Sequence, residues 1–209
     1  MTQLDNIVDP RMVSAPAGAG YQRYREMTID DMLLENRVIF LVGEINFRTA
    51  SEVIMKMLYL QSIKKGQDIH MYINCLGGTV DDTLAIYDTM QYINCDVGTY
   101  CVGRAVSGAA LILTAGAKGK RFCLPHAKIM IHQPWGGITG QAADIEIHAE
   151  AILKDKRLLT SLFAKHTDKP FEQVAEETER DRYLSPVEAK EYGLVDEILE
   201  EQKKEDKKK

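Results

Sequence analysis

A chain of 209 residues, 45% hydrophobic and 27% charged, has the size and balance of one globular domain with a real core. Its formal net charge of −5 and pI near 5.6 argue against a general nucleic-acid binder, which would show a basic face. The longest mostly apolar run, Ala105 to Ala117, is too short to span a bilayer, and Met1 to Gly18 holds no apolar signal-peptide region. No nucleic-acid or membrane partner is expected.

Met1 to about Gly20 is rich in Ala, Gly and polar residues without periodicity and reads as a flexible N-terminal segment. The main domain is expected over residues 21–200, and 201–209 reads as a charged, solvated tail. Val38 to Val42 is a short apolar run closed by Gly43, expected to be a buried strand. Thr49 to Leu60 has helical spacing, with Val53, Met57 and Leu60 in phase. Ile69 to Asn74 is the next strand, followed by Gly77-Gly78 and a helix over Val80 to Ile93. Val97 to Val102 is a third strand, and Ser107 to Ala115 a helix of small residues. Phe122 to Leu124 and Lys128 to Ile131 are short strands. This alternation predicts an α/β fold with a largely parallel sheet.

Gln141 to His166 carries Ile145, Ala149, Ile152, Leu159 and Phe163 on one face of a long helix. Such a helix is too long to pack only on its own small sheet, so it is expected to project and meet a partner. A short helix over Pro186 to Glu191 and a strand over Val195 to Leu199 close the domain. Cys75, Cys95, Cys101 and Cys123 form no CxxC pair and lie in or beside apolar or strand-like segments. Buried free thiols in a reducing cytosol are expected, and zinc spacing is not met.

Three residues stand out chemically. Ser107 lies between a predicted strand and a helix, in Gly103-Arg-Ala-Val-Ser107-Gly-Ala-Ala110. Small neighbours permit a sharp turn, and the helix start offers unpaired N–H groups for an oxyanion. The same serine suits a plain helix N-cap, and the pattern is not GxSxG. His132 ends the run Ile129 to Ile131 before Gln133-Pro134, where its ring can face a cleft or simply pack. Asp181, in Glu179 to Tyr183, reads as a surface turn or as the third member of a triad. His70, His126, His148 and His166 lack a comparable setting and read as surface or packing residues. Gly77-Gly78 permits a backbone N–H to face a ligand, and Gly136-Gly137 could form an edge that pairs with an extended peptide.

From about Arg37 to Ile198 the chain closely resembles the Clp protease proteolytic subunit family (ClpP). The resemblance is carried by Tyr72-Ile-Asn74 with Gly77-Gly78, Ala85 to Met90, Thr114 to Phe122, Ile129 to Pro134, Gly140 to Glu146, Arg180 to Arg182 and Tyr192 to Asp196. It implies a crotonase-like α/β fold, with the long helix as a handle joining two stacked seven-membered rings. It implies Ser107, His132 and Asp181 as the triad of a serine endopeptidase, with backbone N–H groups of Gly78 and Gly108 as the oxyanion hole. Gly136 and Gly137 would bind the substrate strand. Glu179 and Arg180 would sit at the ring–ring contact, and Tyr72 and Tyr92 at the docking surface for an AAA+ unfoldase of ClpX, ClpA or ClpC type. ATP would be used by that partner. No cofactor or metal is implied for this chain, which has no Walker A motif.

The sequence departs from the family pattern at Gly108, usually Met, at Ala109, usually Gly, and at Cys75-Leu76, usually Ser-Pro. His70 replaces a common aromatic. These departures bear on the first substrate pocket and on partner choice. They leave a weakly active or structural subunit of a mixed ring as the alternative. A crotonase-fold enzyme acting on acyl-CoA is a further rival that the Ser/His/Asp set disfavours.

Overall fold

The computed structural model describes residues 27–137 and 139–200. The expected N-terminal segment and charged tail lie outside the described residues. In chain order the elements are α1 (Ile29–Glu35), β1 (Val38–Ile45), α2 (Phe47–Ile63), β2 (Ile69–Gly78), α3 (Val80–Tyr92), β3 (Val97–Val106), α4 (Gly108–Thr114), β4 (Arg121–Cys123), β5 (Lys128–Ile131), α5 (Ala142–Thr167), α6 (Phe171–Glu177), β6 (Arg182–Leu184), α7 (Pro186–Tyr192) and β7 (Glu197–Ile198). Strands β1, β2, β3, β4 and β7 lie side by side and parallel. Strand β5 pairs parallel with the far end of β3, and β6 pairs antiparallel with β5. The α/β expectation with a largely parallel sheet holds.

Strand β2 shows why one face forms the core. Ile69, Met71, Ile73 and Cys75 are fully buried, while the alternate residues point to the other face. Helix α2 starts at the capping box of Asn46 and Thr49 and buries Ala50, Val53, Met57 and Leu60 at helical spacing. Helix α4 is buried from Ala109 to Thr114. Its Leu111, Ile112 and Leu113 are inaccessible to solvent, and burying each stabilises the fold by about 1.5–3 kcal/mol.

The expectation of a buried first strand holds for one face only. Ile39 and Leu41 are buried, but Phe40 is 38% and Val42 52% exposed. The second face of the sheet carries an aromatic row instead of a helix layer. Phe40 stacks on Tyr72 at 5.4 Å between ring centres, Tyr72 on Tyr100 at 4.7 Å, and Tyr100 on Phe122 at 4.9 Å. Parallel sheets are normally covered on both faces, and among the described residues no helix covers this row.

Helix α5 has 26 residues, a length of about 39 Å. Its first ten residues are all exposed, Ile145 and Ile147 among them, while Thr160, Phe163 and Thr167 are buried. The projecting helix is therefore as expected, but the apolar face divides. Leu159 and Phe163 serve this domain's core, and Ile145 and Ala149 do not. Buried Arg121 ties the C-terminal side together. It forms a two-armed pair with Asp196 at 2.6 and 2.9 Å and donates to the carbonyls of Thr114, His166 and Gly193.

Candidate active site

Strand register brings three distant residues to one point. Strand β3 runs beside β5 with Val106 opposite Met130, so Ser107, the next residue, stands at the strand end and donates its N–H to Met130 O at 2.9 Å. Strand β6 runs back along β5 with Ile131 opposite Arg182. One more step along that antiparallel register sets His132 opposite Asp181. The side chains meet accordingly: His132 Nε2 lies 2.8 Å from Ser107 Oγ, and His132 Nδ1 lies 3.0 Å from Asp181 Oδ1. With Nδ1 protonated, the imidazole donates to Asp181 and accepts from the serine hydroxyl. The His132 side chain is 14% exposed and that of Asp181 57%.

Ser107 adopts φ 57° and ψ −122°, a left-handed backbone that L-residues rarely take. The GxSxG sequence is absent, yet the strained strand-to-helix turn is present. Ser107 stands at the N-cap position of α4, but its side chain makes no capping bond. Its hydroxyl is instead committed to His132, so the plain N-cap reading does not describe it.

Glycines around the serine are required by close packing. A Cβ on Gly77, whose φ is +81°, would lie 2.5 Å from Val106 O and 2.8 Å from Ser107 Cβ. A Cβ on Gly78 would collide with the Ile45 carbonyl, and one on Gly108 with Thr83 Oγ1. Gly78, Ser107, Gly108 and His132 line a common cleft of about 70 Å³, walled by Val80, Leu111, Pro134, Trp135, Leu159 and Phe163. Larger hollows of about 680 and 320 Å³ lie between α1 and α2 and near the ends of α3 and α5, away from this cluster. The cleft thus joins a hydroxyl held by an imidazole, a carboxylate behind it, and the backbone at the start of a helix. That set can perform acyl transfer.

The sequence model of the Clp protease family matches residues 21–202. The chain is also 53% identical over 191 residues to ATP-dependent Clp protease proteolytic subunit 1 of Rhodopirellula baltica, covering 91% of this chain and 84% of the relative. The chain belongs to the Clp protease family. As a Clp protease it is a serine-type endopeptidase subunit with the ClpP/crotonase-like fold, and membership implies oligomeric assembly and partnership with Clp ATPases.

The other residues singled out in this Clp protease fall in distinct places. Glu179 pairs with Lys156 of α5 at 2.7 Å, and this bond holds its carboxyl below the ordinary glutamate range. Gln133 ties the histidine loop to the aspartate loop, donating its N–H to Thr178 O at 2.7 Å and its amide to Glu179 O at 2.9 Å. Arg180 is exposed. Gly136 and Gly137 are exposed in the loop after His132; a Cβ on Gly136 would meet only Ile152 Cδ1 at 3.4 Å, and one on Gly137 nothing within 4 Å. Tyr72 lies in the aromatic row, and Tyr92 is 78% exposed at the end of α3. His70 contacts the Tyr100 hydroxyl at 3.0 Å, and His166 the Tyr87 hydroxyl at 2.9 Å, both away from the cleft.

All four cysteines are free and buried. Burial pushes the Cys101 and Cys123 thiols up to about 11. Sequence reasoning missed strand β6, the Gln133 and Lys156 tethers, and the contact of Thr83 with Gly108. Only β6 carried a signal, the short alternating Arg182-Tyr183-Leu184 before the Ser185-Pro186 helix start.

Proposed function

We propose that Ser107 is the nucleophile, His132 the general base and Asp181 the orienting acid of this endopeptidase, acting on unfolded polypeptides and small peptides. His132 takes the Ser107 proton as Oγ attacks the peptide carbonyl. Asp181 holds the tautomer and stabilises the imidazolium. The N–H groups of Gly78 and Gly108 receive the developing oxyanion, each such donor worth about 3–4 kcal/mol in the transition state. His132 then returns the proton to the leaving amine, and water releases the acyl group by the reverse sequence. No cofactor is required by these steps. The observation that carries the reading is the unbroken Ser107–His132–Asp181 hydrogen-bond series, which favours an active subunit over a structural one.

The exposed backbone at Gly136 and Gly137 suits pairing with an extended substrate strand. The bare N-terminal half of α5, with Glu179 and Arg180 nearby in sequence to Asp181, suits a ring–ring contact between two seven-membered rings. The aromatic row with Tyr72, together with exposed Tyr92, suits docking of an AAA+ unfoldase of ClpX, ClpA or ClpC type, which would use the ATP. Among the described residues no helix is long and apolar enough to cross a membrane.

The test is a fluorogenic-peptide assay run beside native mass spectrometry. Ser107→Ala should abolish hydrolysis while the assembly mass stays unchanged. Retained hydrolysis by that variant would refute the nucleophile assignment, and a monomeric wild type would refute the ring reading.

A further inference from the structure

Strand β2 loses its regular pairing just where it reaches the nucleophile. Against β1, Gly43 faces Cys75 and Ile45 faces Gly78, so two steps on β1 match three on β2. Against β3, Ile73 faces Cys101 and Cys75 faces Ala105, so two steps on β2 match four on β3. The segment Cys75–Gly78 is therefore bulged against β1, while against β3 the extra residues lie on β3 between Cys101 and Ala105, and such irregularities leave backbone groups without ladder partners. The Gly77 N–H finds its acceptor within the segment, in Cys75 Sγ at 3.4 Å. A buried N–H without a partner would be costly, so this bond fixes the turn.

The same turn presses on the catalytic backbone. The vacant Cβ direction of Gly77 points to Val106 O, Ser107 Cβ and Gly108 N, the last at 3.0 Å. Rotation of the Gly77 peptide would displace either Gly78 on one side or the Ser107–Gly108 turn on the other. Cys75 itself is inaccessible to solvent. Burial raises its thiol pKa, which favours the neutral thiol.

We infer that Cys75 is a positioning residue of the peptidase: its sulfur accepts the Gly77 N–H and so aims the Gly78 and Gly108 amides at the oxyanion. The inference rests on the proposed oxyanion role of those two amides. It gives the Cys75 departure from the family's usual serine a meaning, because serine offers an acceptor at the same place.

Cys75→Ala and Cys75→Ser test it, since both shorten the side chain to a similar volume and only serine keeps an acceptor. Cys75→Ala should lower kcat roughly ten- to a hundredfold, below the loss of a whole oxyanion donor at its upper range, with KM within about twofold. A peptide boronate, which forms a tetrahedral adduct at the nucleophile, should weaken by the same factor as kcat. Cys75→Ser should recover most of both losses. If Cys75→Ala does not assemble, Cys75→Val removes the acceptor while filling the space. Unchanged kcat in the alanine or valine variant, or equal losses in alanine and serine variants, would overturn the inference. Labelling of wild-type Ser107 by a fluorophosphonate separates the two levels: labelled Ser107 with a silent Cys75 overturns only this inference, whereas unlabelled Ser107 overturns the catalytic reading beneath it.

Discussion

Replacing Gly108 by alanine puts one methyl group where the structure has no room. The new Cβ would collide with Thr83 Oγ1 and lie 3.0 Å from Thr83 Cγ2 and 3.2 Å from its Cβ. Thr83 cannot yield easily. It is 1% exposed, β-branched, and its hydroxyl donates to Thr79 O at 2.8 Å. Overpacking at such a site costs about 1–3 kcal/mol, and losing the Thr83 hydrogen bond about 1 kcal/mol more, for a destabilisation of about 2–4 kcal/mol. Because Gly108 opens α4 directly after Ser107, the strain reaches the catalytic turn, and peptide turnover should fall as well. Thr83→Ala removes both γ atoms, so the double variant should recover about 1–3 kcal/mol relative to the sum of the single changes. Urea unfolding followed by circular dichroism, with assembly checked by native mass spectrometry, reads both numbers. A Gly108→Ala variant as stable and active as wild type, or one whose cost is unchanged in the Thr83→Ala background, would refute the packing argument. By the same argument a methionine at 108 would require a smaller residue at 83.

Two further outcomes follow from buried charge and burial. Arg121→Met should destabilise the chain by about 3 kcal/mol, because Asp196 loses its charged partner and keeps only the N–H groups of residues 119 and 121, and three carbonyls lose a donor; an equilibrium unfolding curve matching wild type would contradict this. His166 is held neutral down to about 4, chiefly by burial and then by Lys165 and Arg121, whereas an unfolded histidine titrates near 6.5. Its contribution is therefore fully present above pH 6.5 and lost as pH falls towards 4, where the unfolded chain binds the extra proton first. Thermal melts of wild type and His166→Gln across that window should show a smaller acid loss in the variant, and parallel pH profiles would contradict the account.

Much of the site was legible because its residues sit at strand ends marked by sharp local signals. Ser107 follows an apolar strand among small residues, and His132 precedes Gln133-Pro134. Asp181 was legible only through the family resemblance, since its charged neighbours look like any surface turn. What places it is the antiparallel β5–β6 register, a pairing of residues about fifty positions apart that no local pattern encodes. The bare sheet face was misread for a related reason. Val38 to Val42 is apolar throughout, and a continuous run looks the same whether its second face meets helices of its own chain or a surface outside it. Thr83 beneath Gly108 and Cys75 behind Gly77 were likewise invisible, because close backbone approach is a property of tertiary packing.

The most direct measurement is to treat the assembled protein with a fluorophosphonate and locate the adduct by peptide mass spectrometry. A single adduct on Ser107 in wild type, formed far more slowly in His132→Ala, is the expected result. An adduct at another residue, or equal rates in the two proteins, would contradict the assignment of a hydroxyl activated by its neighbouring imidazole.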